Sequence, residues 1–286
     1  MKSRILYNIL SIVSPLIKDE QYIRWKWNTK NGGNLNIREP KTFNEKLNWL
    51  KLYDRNPLYT IMADKYTVKQ YIEEKTKGEL LTAKCLGVWD KAEDIQFEQL
   101  PDRFVLKCTH DSGSMVLCQD KSNLDIPETK KQLDNGVKKD FYLASREWPY
   151  KSIKKRILAE EFLGGGQPLQ DYKFWCFNGK PIFMYVTNKV GTIYENFYDM
   201  EFNQVDINHG FTRLKPEFNK PLHFEKMKVF AETLSAAIPF VRIDFWEIEG
   251  NVYFGEFTFY DWGGFRPFSD YQQDLELGKL LELPQL

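Results

Sequence analysis

The sequence lacks most features that settle function early. Its four cysteines, Cys85, Cys108, Cys118 and Cys176, form no C-x-x-C pair. That spacing excludes a zinc ribbon or a thioredoxin-type redox motif, and free thiols in a reducing compartment are the expectation. Charge of one sign is missing as well. Lys plus Arg and Asp plus Glu each number 40 in 286 residues, so the formal net charge is zero. A protein that grips duplex nucleic acid is usually basic, and no nucleic-acid partner is expected. No apolar run reaches the ~20 residues needed to cross a bilayer. The motifs G-x-x-x-x-G-K-[ST] and G-x-G-x-x-G do not occur, which removes the P-loop and Rossmann sites. D-x-D is also absent, which counts against a metal-dependent sugar-nucleotide transferase. The three histidines, 110, 209 and 223, are too scattered to suggest a nucleophilic triad. His209 and His223 read as surface residues.

What the chain does have is material for a core. Apolar residues make up 42% and aromatics 15%, a composition unlike that of a disordered chain. Residues 1–60 read as mostly helical. Within 5–17, the positions Ile5, Leu6, Ile9, Val13 and Leu16 share one helical face, giving either a packing helix or a peripheral contact with the inner membrane leaflet. Thr42 followed by Glu45 is a capping box for a helix through Leu47 and Leu50. A second helix is expected over 58–74, and others over 125–141 and 224–238. Strands are expected at 104–108 and 156–159. A hairpin turns at Asn178-Gly179 between 172–177 and 181–187. A last hairpin, 241–248 and 252–259, turns at 249–251. Helices mixed with antiparallel hairpins predict an α+β fold.

The last hairpin carries the most chemistry. A three-residue turn puts Asp244 opposite Glu256 and Arg242 opposite Thr258, all on one face. A two-residue turn would send Glu256 to the other face. Facing carboxylates repel unless positive charge lies between them, and Mg²⁺ commonly takes one or two carboxylates plus phosphates. Lys107 ends an apolar strand and runs into a polar turn whose Ser112, Gly113 and Ser114 can offer N–H groups to an anion. Charges outward on a half-exposed hairpin, and an ordinary Ser/Gly turn, are the plain alternatives.

The order of these motifs resembles the ATP-grasp superfamily, and within it the TupA-like ATP-grasp family of polysaccharide and teichuronopeptide biosynthesis. The resemblance rests on Pro40–Leu47, Asp64-Lys65-Tyr66, Phe104–Lys107, His110–Gly113, Arg146–Tyr150, Asp171–Phe174 and Tyr253–Glu256. It implies an ATP-grasp fold of two α+β subdomains over 61–286, after a helical region at 1–60. The nucleotide cleft would lie between about 100–163 and 171–260. It further implies ATP and Mg²⁺ as cofactors. Lys107 would hold phosphates with Lys65, and His110, Asp111, Ser112, Gly113 and Ser114 would form the loop over them. Glu160, Glu161, Phe162 and Leu163 would form the adenine hinge, and Asp171 would hold ribose. Lys173 or Lys189 would be a second phosphate lysine, and Arg242 the catalytic arginine. Asp244 and Glu256, with Thr258 beside them, would hold the metal. The implied activity is a cytoplasmic carboxylate–amine ligase acting on a small-molecule or glycan acceptor at the inner face of the membrane. A phosphotransferase and a glycosyltransferase are the alternatives.

Overall fold

The structure, a computed structural model, describes residues 14–166, 169–187, 194–213 and 218–285. Lys189 and most of the 5–17 segment lie outside the described residues. In chain order the elements are α1 (Asp19–Asn31), α2 (Phe43–Tyr53), α3 (Leu58–Ala63), α4 (Val68–Thr76), β1 (Cys85–Trp89), β2 (Phe104–Cys108), β3 (Met115–Cys118), α5 (Ile126–Lys138), α6 (Tyr142–Ser145) and β4 (Ile157–Glu161). They continue as β5 (Asp171–Phe177), β6 (Lys180–Thr187), β7 (Glu195–Tyr198), β8 (Gln204–Val205), α7 (Phe224–Ser235), β9 (Phe240–Ile248), β10 (Asn251–Thr258) and α8 (Tyr271–Leu280).

The strands form two antiparallel sheets. The smaller is ordered β1-β4-β2-β3, and the larger β10-β9-β5-β6-β7-β8. One strap ties them together. Just before β1, the Leu81 N–H donates to the Val252 carbonyl and its carbonyl accepts from the Phe254 N–H, at 3.2 and 2.8 Å.

Local chemistry accounts for the helix ends. Thr42 and Glu45 close the expected capping box on α2, and Asp125 caps α5 by accepting the Glu128 N–H at 2.9 Å. The single helix expected over 58–74 is instead two, α3 and α4. Asp64 leaves helical geometry, because its carboxylate accepts the Tyr66 N–H at 2.9 Å and pairs with Arg156 at 2.7 Å. An Asp that bonds its own local backbone competes with the helix ladder.

Helices pack on both faces of the larger sheet. Helix α7 lies on the larger sheet through Phe224, Met227, Ala231 and Leu234, all buried. Helix α2 docks at the other side, with the Phe43 ring 5.2 Å from Trp175 and 4.8 Å from Phe240. Burying each such aromatic or aliphatic side chain contributes about 1.5–3 kcal/mol. The N-terminal helices therefore share the core of the larger sheet. A second core, built on Phe104, Leu106, Leu133, Ile157 and Ala159, joins α5 to the smaller sheet. Gly136 permits that docking. A Cβ there would stand 2.6 Å from Cys108 Sγ and 2.7 Å from Ser114 Cβ.

Candidate functional site

Alternation along β5, β9 and β10 gathers one polar face on the larger sheet. Lys173 pairs in register with Asp244, and Asp244 with Glu256. Thr258 lies opposite Arg242. The expected pairing is present, but the expected turn is not. The chain reverses at Glu249-Gly250, both with positive φ, and Asn251 pairs with Ile248. A two-residue turn alone would put Glu256 on the wrong face. A bulge between Phe254 and Glu256 restores the register, and the extra residue is Gly255. Its missing Cβ would sit 3.0 Å from the Asp244 carbonyl and 3.2 Å from Asp244 Cβ.

Positive side chains do separate the facing carboxylates. Lys173 Nζ lies 2.5 Å from Asp244 and 3.3 Å from Asp171. Arg242 reaches Asp244 at 2.7 Å, Glu256 at 2.6 Å and Asp261 at 2.8 Å. Burial alone would lower the Lys173 pKa, but Asp244 and Asp171 hold it above the usual lysine value. Arg242, Lys173 and Lys65 keep the Glu256 carboxyl below the ordinary range.

The smaller sheet supplies the opposite wall. Lys107 on β2 pairs with Glu160 on β4 at 2.6 Å, and Lys69 on α4 pairs with the same carboxylate. These two lysines overcome burial and hold Glu160 below its ordinary pKa. Lys65 donates to the Asp111 carbonyl, and burial lowers its pKa. The 111–114 loop is the connection of the β2–β3 hairpin, clasped by a Ser114–Asp111 hydrogen bond.

Between the walls lies a cavity of about 380 Å³. Lys65, Lys107, Asp111, Ser112, Gly113, Ser114, Glu160, Asp171, Lys173, Asp244 and Glu256 all line it. Arg242 and Thr258 stand beside it on the same sheet face, and Thr258 spends its hydroxyl on Glu256 at 3.3 Å. Four expected residues are not brought there. The His110 ring is buried on the Lys139 carbonyl at 3.1 Å. Glu161 accepts the Lys84 N–H at 2.7 Å, because strand alternation turns it away from Glu160. Phe162 lies under the Arg103 guanidinium at 4.5 Å, and Leu163 is no part of the lining.

Several residues at the site went unread in the sequence. Trp246 donates its indole N–H to Asp171, and the two-residue period from Arg242 and Asp244 was the signal for it. Lys69 follows Lys65 by four residues. Asp261 carried no signal, yet it receives Arg242 and, at 3.2 Å, the Tyr185 hydroxyl. Tyr150, which closes the Arg146–Tyr150 segment that the sequence does single out, also lines the cavity. His209 is not at the surface. It is buried 3.2 Å from Glu195 and 3.9 Å from Asp261, among Trp175, Phe197 and Phe268. His223 is half-buried, 2.5 Å from Glu247.

Among the described residues, no group of three or more His, Cys, Asp or Glu side chains could hold a metal ion. Asp244 and Glu256 are a two-carboxylate donor set, which suits an ion that takes its other ligands from phosphates.

None of the curated proteins compared matches the chain. Similar solved structures include the D-alanine–D-alanine ligase of Helicobacter pylori, 15% identical over 84% of this chain and 69% of that one, with a TM-score of 0.44. The D-alanine–D-alanine ligase of Bacillus anthracis complexed with ATP is 14% identical over 69% of this chain and 53% of that one, with a TM-score of 0.40. The N5-carboxyaminoimidazole ribonucleotide synthetase of Thermus thermophilus is 12% identical over 70% of this chain and 45% of that one, with a TM-score of 0.41. The chain thus spans about half to two thirds of the length of these relatives. The family model for TupA-like ATP-grasp proteins matches residues 45–282, most of the chain. With its two antiparallel α+β sheets facing one charged cavity, the chain belongs to the TupA-like ATP-grasp family and has the ATP-grasp fold.

Proposed function

We propose that this protein is an ATP- and Mg²⁺-dependent carboxylate–amine ligase that joins an amino acid or amine to a sugar acid in bacterial cell-surface polysaccharide biosynthesis. One observation carries the reading. Lys107 on β2, Lys173 on β5 and Lys65 in the turn between α3 and α4 converge on one cavity with Asp244 and Glu256. That arrangement suits a polyphosphate carrying a divalent cation. Asp244 and Glu256 would hold Mg²⁺, which neutralises charge that develops on the transferring phosphoryl group.

The protein's own groups would then do the following. Lys107 and Lys65 bind and orient phosphate oxygens, releasing Glu160 and the Asp111 carbonyl to do so. Arg242, fixed by three carboxylates, presents positive charge where the transition state becomes more negative. A carboxylate oxygen of the substrate attacks the γ-phosphorus, ADP leaves, and an acylphosphate forms. The amine nitrogen then attacks the acyl carbon, the C–O bond to phosphate breaks, and the nitrogen gives up a proton. No protein nucleophile takes part. The acceptor would be a small molecule or glycan, met in the cytoplasm or at the inner face of the membrane. Among the described residues no helix is long and apolar enough to cross a membrane.

Thermal stability with Mg²⁺ and ATP, or with Mg²⁺ and nucleotide sugars, tests the reading. A ligand at ~100 times its Kd adds about 2.7 kcal/mol, which raises Tm by several degrees at roughly 2–4 °C per kcal/mol. The expected result is a shift with ATP that Lys107→Ala removes, and ADP release that needs both a carboxylate and an amine. A shift with a nucleotide sugar and none with ATP overturns the ligase reading. ADP release that needs no amine would make the protein a phosphotransferase.

A further inference from the structure

A second cavity, of about 500 Å³, lies beyond the Asp261–Gly264 turn and shares no lining residue with the first. Its size is within the ~300–1,000 Å³ of small-molecule sites. Its charge is one-sided among the described residues. Lys26 and Lys30 on α1, and Arg266, line it, and no described carboxylate does, in a chain with as many acids as bases. None of the three forms an ion pair with a carboxylate among the described residues. Lys26 and Lys30 are spaced i,i+4, where like charges destabilise a helix. Burial pushes Lys26 down to about 8, with Lys30 and Arg146 adding to the fall and Glu147 opposing it. An anion in the cavity would relieve this repulsion.

His209, Trp262, Phe265 and Pro267 make up the rest of the described wall. Arg266 donates its Nε–H to the His209 carbonyl at 2.8 Å. Its guanidinium lies 4.0 Å from the Phe211 ring centre and 4.6 Å from that of Trp262. Trp262 has φ 49°, a left-handed conformation that a non-glycine residue adopts only against strain. In a chain that buries most of its aromatic residues, this one is 46% exposed. The apolar face of a pyranose fits against such an indole while its charged substituent meets the cations.

We propose that this cavity binds an anionic saccharide, its ring on Trp262 and its carboxylate or phosphate held by Lys26, Lys30 and Arg266. The proposal does not rest on the nucleotide reading, and its test contains no nucleotide. Intrinsic tryptophan fluorescence and calorimetry are followed with digalacturonate and with glucose 1-phosphate, against cellobiose and inorganic phosphate. The expected result is saturable binding of at least one charged sugar, at least tenfold tighter than either control. Which probe wins assigns the carboxylate or the phosphate. Lys30→Glu, at an exposed position, weakens that binding at least tenfold, and Trp262→Ala does the same by calorimetry. The proposal is overturned by no saturable binding of either charged sugar, by equal binding of cellobiose or inorganic phosphate, or by unchanged affinity in Lys30→Glu.

Discussion

Replacing Asp261 with Asn asks how much the catalytic role proposed for Arg242 depends on a carboxylate outside the cavity. The Asp261 side chain is 1% exposed and lies 2.8 Å from Arg242. Its other oxygen has no hydrogen-bond partner and sits 3.9 Å from His209 Nε2. Asn keeps an acceptor but removes the charge. A hydrogen bond to a charged group contributes about 1.5–3 kcal/mol. Stripping a buried charge of its only partner costs about 3–5 kcal/mol. Arg242 retains Asp244 and Glu256, so the loss should be near the lower range, about 1–3 kcal/mol. At roughly 2–4 °C per kcal/mol that is a Tm drop of some 2–12 °C. Turnover should fall further than stability. With one of three anchors weakened, the guanidinium is drawn toward Asp244 and Glu256, and misplacement of a catalytic group by ~1 Å costs about 10²-fold. Steady-state ADP release measures both parameters. The expected split is a kcat lowered about 10²-fold with KM for ATP nearly unchanged. A lowered Tm with wild-type kcat would refute the reasoning, because Asp261 would then be only part of the core.

Glu256→Gln should abolish ADP release while leaving Tm close to wild type, since its side chain is 46% exposed; normal ADP release would remove the metal assignment. Glu160 makes the site acid-sensitive. Its folded pKa lies below the ordinary 4.5 because Lys107 and Lys69 outweigh burial, so its stabilisation is complete above pH 4.5 and is lost as pH falls through the folded value. Glu160→Gln should therefore be less stable at neutral pH, and its denaturant midpoint should vary less with pH below 4.5 than that of wild type. Gly136→Ala places a methyl against Cys108 and Ser114. Overpacking of this kind costs about 1–3 kcal/mol, read as a Tm drop, and the displaced 111–114 loop should weaken the ATP-induced thermal shift.

The sequence made some elements legible and hid others for identifiable reasons. Helices α2 and α5 carry side-chain caps, and the Asn178-Gly179 turn supplies two residues at positive φ. Such signals act within a few residues and survive any tertiary setting. Strands β1 and β7 had no such signal. All five residues of β1 are half-buried and all four of β7 are buried, so neither shows an alternation to read. Lys107 stood out because a charge at the end of an apolar strand needs a partner, and Glu160 is that partner. His209 carries no sign of its burial in the sequence, because a lone histidine says nothing of the acids that meet it. Glu195 lies 14 residues before it and Asp261 lies 52 after it in sequence.

The Asp244–Glu256 pair shows how a correct face can follow from an incorrect turn. Counting back from a three-residue turn put the two carboxylates opposite one another, and they are opposite. The turn has two residues, and its positive φ values at Glu249 and Gly250 suit the right-handed twist of the flanking strands. Two-residue pairing runs from Asn251 to Phe254, and without correction it would leave Glu256 on the buried face with Phe254 and Phe257 nearby. The bulge at Gly255 adds the missing residue. A bulge bends a strand and re-aims the side chain that follows it, and here that side chain is one of the two proposed metal ligands. The glycine is needed because any side chain there would press on Asp244, the other one. Site and backbone irregularity thus have a single cause. The hairpin adopts its favoured turn, and one glycine returns the second carboxylate to the cavity.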